Sequence, residues 1–257
     1  MARQTRLSAT QVERFEEQGY LVLRDVFDDG EVARMRDGFE RLEEMAHEVR
    51  TTGMHRGSQF VVEPDGPDRV HIHRIVWCGA AVPILSEFGR DPRLVQLATQ
   101  LIGTPRVEQL INQAHFKFPG DGVDFEWHQD SKHRRYGTDL WTDVTGRGSF
   151  LETATAIDPM TPDNGPLQFI PGSHRHGHIP PDPDTGALPA DAYDPDDAVT
   201  VTLEPGSVVI FGPYVIHGSP PNRGDTPRRL FLNGYAHPDA NRRDYPGDGA
   251  GRILPDD

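Results

Sequence analysis

Among the chain's 12 histidines, one tripeptide stands out as a possible metal ligand pair. In FEWHQD, His128 and Asp130 lie two residues apart at the end of a predicted strand. A strand sends side chains i and i+2 to the same face, so an imidazole and a carboxylate there can chelate one ion. Completed by a second imidazole from another strand, they form the facial triad that leaves three coordination positions open on Fe(II). The candidate for that remote imidazole is His217 in VIHGSPPNRGDTPRRL, which follows the apolar run SVVIFG and is held among turn residues. Eleven residues on stands Arg228, at the start of the next apolar run. A guanidinium there can grip a carboxylate through two hydrogen bonds, as an organic acid chelating the metal would require.

Spacing alone does not single this set out. A second H-x-D tripeptide, His237-Pro-Asp239, contains a proline that spoils strand pairing and has no histidine after it, so it reads as a decoy. His71 and His73 lie on a predicted strand with no carboxylate at metal spacing and read as packing or surface residues. The HRHGH run of His174, His176 and His178 follows PGS in a turn and reads as a solvated loop that would take zinc or nickel only adventitiously. Two other functions stay open for the same triad. One is a zinc-type hydrolase, with Glu126 as general base if regular alternation puts it on the face of His128. The other is a non-catalytic, ligand-binding jelly roll.

The elements that must position these groups fall into two parts. Ser8 with Gln11 suits a capping box for a short helix that Gly19 ends, and residues 20–26 alternate as a strand. Asp28 or Asp29 can cap a helix over 30–49, with Val32, Met35, Phe39, Leu42 and Met45 on one face. Asp91, Pro92 and Gly103 delimit a third helix whose apolar face is Leu94, Leu97, Ala98 and Leu101. From Arg106 the pattern changes to short β-branched and aromatic runs at 106–118, 125–129, 149–157, 167–170, 199–203, 207–212 and 229–236. The expected fold is mostly β: one domain over 1–257, a helical layer over about 8–103 packed on one sheet of a jelly-roll core over about 106–236, and a loosely held tail from about 241. Residues 132–148 and the Pro/Asp-rich stretch 180–197 are expected to cover the metal as mobile loops without the apolar content to pack inside.

Composition narrows the partners. With 26 Lys+Arg against 40 Asp+Glu the formal charge is -14, which disfavours a nucleic-acid or anionic-lipid partner. No apolar run is long enough to cross a bilayer. The single cysteine, Cys78, and a polar start without a secretory signal point to the cytoplasm. Oligomeric state is not legible.

WHQD, then TPDNGPLQFIPGSH at 161–174, then IHGSPPN with an arginine eleven past the histidine, resembles the phytanoyl-CoA dioxygenase family. The opening GYLVLRDVF resembles it too, so the likeness spans roughly 8–236. QAHFKFPGDGVDFEWHQD is similar to the bacterial branch that includes ectoine hydroxylase and free amino-acid hydroxylases. The resemblance implies a double-stranded β-helix, Fe(II), 2-oxoglutarate as co-substrate and O₂. It makes His128, Asp130 and His217 the iron ligands and Arg228 the anchor of the far 2-oxoglutarate carboxylate. Gln113 and Lys117 fall where co-substrate or substrate contacts arise in the ectoine-like branch, and Asn164 and Gly165 match a structural turn. Asp130 sets the chain apart from related halogenases, which lack that carboxylate. The implied activity is oxidation, most simply hydroxylation, of an unactivated C–H bond in a small metabolite such as an amino-acid derivative or natural-product intermediate. Residues 132–148 differ from that branch, so substrate identity does not transfer. Lys132, His133, Arg134 and Arg135 read either as a solvated basic turn or as a cationic rim favouring an anionic substrate. Trp127 reads as strand packing.

Overall fold

Ser8 accepts a hydrogen bond from the Gln11 N–H while the Gln11 side chain accepts from the Ser8 N–H, and this capping box starts α1 (Ala9–Gln18). Gly19 ends the helix at φ 82°, a left-handed conformation suited to glycine. The computed structural model describes residues 6–255. After β1 (Tyr20–Leu23), a second capping box between Asp28 and Glu31 opens α2 (Asp29–Val49), which buries Val32, Met35, Phe39 and Leu42 as its periodicity requires. Each such side chain withdrawn from water contributes roughly 1.5–3 kcal/mol.

The expected helical layer over 8–103 is interrupted. Residues 53–76 form β2 (Gly53–His55), β3 (Ser58–Asp65) and β4 (Arg69–Val76), an antiparallel extension of the main sheet. Helices then return as α3 (Cys78–Ala81), α4 (Pro83–Gly89) and α5 (Pro92–Ile102), the last capped by Asp91 and ended by Gly103 as expected. The remaining elements are β5 (Val107–Lys117), β6 (Phe125–His128), α6 (Asp130–His133), β7 (Phe150–Ala156), β8 (Gln168–Phe169), β9 (Val199–Thr200), β10 (Val208–Phe211), β11 (His217–Ser219), β12 (Arg228–Ala236) and β13 (Arg252–Leu254).

The strands make two antiparallel sheets in a jelly-roll arrangement. The large one runs β1-β10-β7-β12-β5-β4-β3-β2, with β13 also paired to β5; the small one runs β6-β11-β8-β9. Period-two alternation divides the large sheet's faces. Phe231, Ala114 and Ile75 form one cross-strand row packed under α2 and α5, while the adjoining row of Leu230, His115 and Arg74 takes the other face. Between the sheets a second core gathers Ala154, Phe169, Val209, Phe211 and Leu230.

Two loop expectations need correction. Within 132–148, Tyr136 and Trp141 are buried, stacked on each other at 5.1 Å, and belong to a third apolar cluster with Phe150 and Ala240. The tail beyond 241 is tied down: Asn241 bridges to Trp141, β13 pairs with β5, and the Trp77 indole donates to the Asp248 carbonyl. Both segments looked polar because their few aromatic anchors are diluted by Asp, Gly and Arg. Residues 180–197 are mostly exposed, as expected.

Candidate active site

His128 and His217 are directly opposed across the β6–β11 ladder, with ring centroids 4.3 Å apart. Each Nδ1 meets a backbone carbonyl two residues back: Glu126 at 2.7 Å and Val215 at 3.1 Å. A carbonyl only accepts, so these bonds fix the Nδ1–H tautomer and leave Nε2 as the lone-pair atom of each ring. The two Nε2 atoms lie 3.7 Å and 3.9 Å from Oδ1 of Asp130.

Asp130 arrives there by a different route from the strand alternation expected. β6 ends at His128, Gln129 turns the chain, and Asp130 is the first residue of α6. The turn is fixed because the Gln129 amide donates to the Gly177 and Tyr214 carbonyls and accepts from the Ile179 N–H. Two proton-free imidazole nitrogens facing one carboxylate oxygen are the donor set of a 2-His-1-carboxylate metal site, so these residues fit a first-row divalent ion.

The surrounding electrostatics favour that assignment of charge. Burial, followed by the neighbouring His217, pushes the His128 imidazolium down to about 3, so the ring is an acceptor at neutral pH. Burial opposes ionisation of Asp130, but His217, His128 and Arg134 outweigh it and hold the carboxyl below its usual range. Glu152, buried on β7, goes the other way. Burial and the charge of Asp130 push its carboxyl well up, so it keeps its proton beside Asp130. His133 sits edge-on to His128 at 5.5 Å and offers a nitrogen within 4.8 Å of the His128 and Asp130 ligand atoms. Glu152 was not singled out from sequence, and His133 was read only as part of a basic rim, not as a neighbour of the metal candidates. The available signals were a glutamate inside the apolar strand SFLETATA and a histidine one helical turn past Asp130.

Arg228 and Lys117 are paired residues on β12 and β5, and both side chains are almost fully buried. The Arg228 guanidinium donates to the Gly165 carbonyl at 3.0 Å and 2.8 Å and to the Ser219 hydroxyl at 2.9 Å. Lys117 donates to the Ser219 carbonyl and hydroxyl and to the Pro220 carbonyl. No carboxylate among the described residues forms an ion pair with either cation. Burial therefore dominates: it pushes Lys117 down to about 6, helped by Arg228, and Arg228 down to about 9. Arg229 differs, its guanidinium spanning both oxygens of Asp158 at 2.7 Å and 2.9 Å. Asn164 holds the turn that presents the Gly165 carbonyl, by accepting from the Thr161 N–H and donating to the Pro159 carbonyl.

A cavity of ≈490 Å³ has His128, Asp130 and His217 on one side and Gln113, His115 and Arg228 on the other, while Lys117 is not on its wall. Its wall also includes Arg243, Tyr245 and Pro246 from the tail, which sequence reading left out. Arg134 donates to the Tyr245 hydroxyl and Arg243 to the His133 carbonyl, which holds the tail against α6. The proposed cationic rim is largely engaged: Lys132 donates to the Gly186 carbonyl, and Arg134 is buried over the Phe150 ring. Trp127 lines the cavity, with its ring tilted against Tyr193, instead of packing in a core.

The competing histidines do not join the site. His174 bonds the Glu16 carbonyl under α1, His178 bonds Ser131, and His176 is exposed. His237 and Asp239 approach to 3.7 Å, with Asp239 in solvent. For His71 and His73 the expected lack of a carboxylate is corrected, since Glu63 lies across the β3–β4 ladder, 3.3 Å from His73. A cross-strand partner is invisible to spacing along the chain.

The family profile described as Phytanoyl-CoA dioxygenase (PhyH) matches residues 15–230. An ectoine dioxygenase of Bordetella bronchiseptica is 31% identical over 243 residues, covering 86% of this chain and 73% of that protein. A methylphosphonate hydroxylase of Gimesia maris is 27% identical over 246 residues, covering 94% and 86%. The crystal structure of EctD from S. alaskensis with bound Fe matches with a TM-score of 0.75 at 27% identity, over 93% of this chain and 80% of that one.

Proposed function

The chain belongs to the phytanoyl-CoA dioxygenase family, and on that premise we propose that His128, Asp130 and His217 hold one Fe(II) while Arg228 anchors the far carboxylate of 2-oxoglutarate. The enzyme is an Fe(II)- and 2-oxoglutarate-dependent dioxygenase, and its reaction is hydroxylation of a C–H bond in a small metabolite. One observation carries this: two imidazoles with their lone pairs turned to a carboxylate share a cavity with a buried guanidinium that has no anionic partner among the described residues. The ectoine dioxygenase and methylphosphonate hydroxylase relatives support a small polar substrate.

Iron with 2-oxoglutarate and O₂ supplies an oxidant strong enough to take a hydrogen atom from an unactivated C–H bond. The chain's own residues do the rest. The two Nδ1–H donors to backbone carbonyls hold the rings in orientation, and Glu152, kept protonated, adds no second negative charge beside Asp130. Arg228 offers a dry guanidinium on the cavity wall with which a carboxylate makes strong, charge-assisted hydrogen bonds, and Lys117 lies beside it on the paired strand. Ser219, donating to Gly165 and accepting from Arg228 and Lys117, keeps the guanidinium fixed. Gln113, on the same wall, is placed for a substrate contact.

Anaerobic addition of Fe(II) and 2-oxoglutarate should produce a weak visible charge-transfer band, which His217→Ala abolishes. Full iron affinity and turnover in His217→Ala would refute the ligand assignment. A zinc-supported hydrolysis without that band would instead favour the hydrolase alternative.

A further inference from the structure

Arg74 is a second cation in the cavity. It stands on β4 directly opposite His115 of β5, on the face that looks toward the proposed iron ligands, and its side chain is half-buried. Among the described residues no hydrogen bond or ion pair reaches its guanidinium, and the titratable group beside it is His115. Every other arginine on the cavity wall has an assigned contact: Arg134 with Tyr245, Arg228 with Gly165, Arg243 with His133. Burial pushes Arg74 down from its usual range, and burial followed by Arg74 pushes His115 down to about 3, so the ring next to it adds no second charge.

The neighbourhood is arranged for hydrogen bonding to an anion. The His115 Nε2 lies 3.0 Å from Oε1 of Gln113. That oxygen can only accept, so the ring donates to it and the Gln113 amide NH₂ remains a free donor. Gln59, on β3, lines the cavity from the row beside Arg74. Arg228 lies two strands away and two residues along, which puts the α-carbons of the two arginines about 12 Å apart. That span gives two anions separate seats in one cavity.

We propose that Arg74, with Gln113 and Gln59, forms the anion subsite for the primary substrate, which therefore carries an oxyanion group, a carboxylate or a phosphonate. The metal-site and Arg228 assignments above are its premise. A guanidinium with five donors suits either group through a bidentate contact. This also relocates the selection for negative charge from the loop at 132–135 to the sheet wall.

The test is equilibrium binding without turnover. The protein is loaded with Zn(II) and saturated with 2-oxoglutarate, which fills Arg228, and butanoate, propylphosphonate and the neutral isostere butanamide are titrated by ligand-observed NMR. At least one anion should bind and butanamide should not. Arg74→Gln should weaken the anion about tenfold or more, as loss of a charge-assisted bidentate contact implies, with Arg74→Lys intermediate. Affinity for 2-oxoglutarate should stay within about twofold in both variants. Equal binding of the anions to Arg74→Gln, equal binding of butanamide, or no anion binding to the unmodified protein would each overturn the subsite. Failure of 2-oxoglutarate itself to bind would instead refute the Arg228 assignment, and the anion titrations would still report on Arg74.

Discussion

Adjacent arginines on β12 differ in what they are for, and the difference is measurable. Arg229 and Asp158 form a buried ion pair, so Arg229→Ala leaves Asp158 with only Arg36 at 3.6 Å and the residue-229 N–H and should destabilise the fold by on the order of 2 kcal/mol in urea unfolding. Arg228 has only neutral partners, so Arg228→Gln should spare stability and instead raise the 2-oxoglutarate requirement by about tenfold or more, read from succinate formation. Lys117 adds a pH dependence. Its folded-state value of about 6 lies below that of an unfolded lysine, so between pH 6 and the unfolded value the unfolded chain binds more protons. Stability therefore falls as pH drops through that window, at up to about 1.4 kcal/mol per pH unit. Lys117→Met should flatten that slope in denaturant midpoints taken at several pH values. At this scale the iron-binding candidates were legible because His128 and Asp130 are close in sequence and His217 follows an apolar strand. Glu152, Arg74 and the Glu63 partner of His73 were not, since each owes its role to a cross-strand or inter-sheet neighbour.

The two segments over the cavity should behave differently. Trp141 packs on Tyr136 and edge-on to Phe150, which makes 132–148 a fixed wall. Trp141→Ala should cost about 3–5 kcal/mol of stability, measured by chemical denaturation, as for other large-to-small core changes. Residues 180–197 are held chiefly by the Lys132–Gly186 bond and the Trp127–Tyr193 contact. In hydrogen exchange, peptides from 180–197 should exchange quickly and gain protection when substrate binds, while those from 132–148 are protected throughout. Elements with strong end signals were readable. Both capping boxes, Pro92 and Gly103 mark helices by local chemistry that needs no tertiary partner. The β2–β4 extension was missed as a unit because His71, His73 and Arg74 in β4 and Glu63, Pro64 and Asp65 in β3 break up its apolar pattern, and its apolar face is completed by α2 and α3.

Across the molecule, the tail closes what the sheets leave open. β13 and β4 share one edge of β5, β13 along Val107–Gln109 and β4 along Gln113–His115, so the last strand fills the gap the extension leaves. A chain ending at Asn241 would expose Trp77 and the start of β5 and lose Tyr245 from the cavity wall. Its melting temperature should fall by on the order of 10 °C, with loss of turnover, in calorimetry and succinate assays. The sheets also divide the chemistry. Both imidazoles sit on the small sheet, whereas Arg74, Gln113, Lys117 and Arg228 sit on the large one. The outer strands β3 and β4 carry Gln59 and Arg74 but none of the proposed metal donors, so on this assignment a codon change there alters which molecule is held without disturbing how it is oxidised. Duplicated copies of such a gene can then drift toward new substrates while never passing through an ancestor that had lost its oxidant.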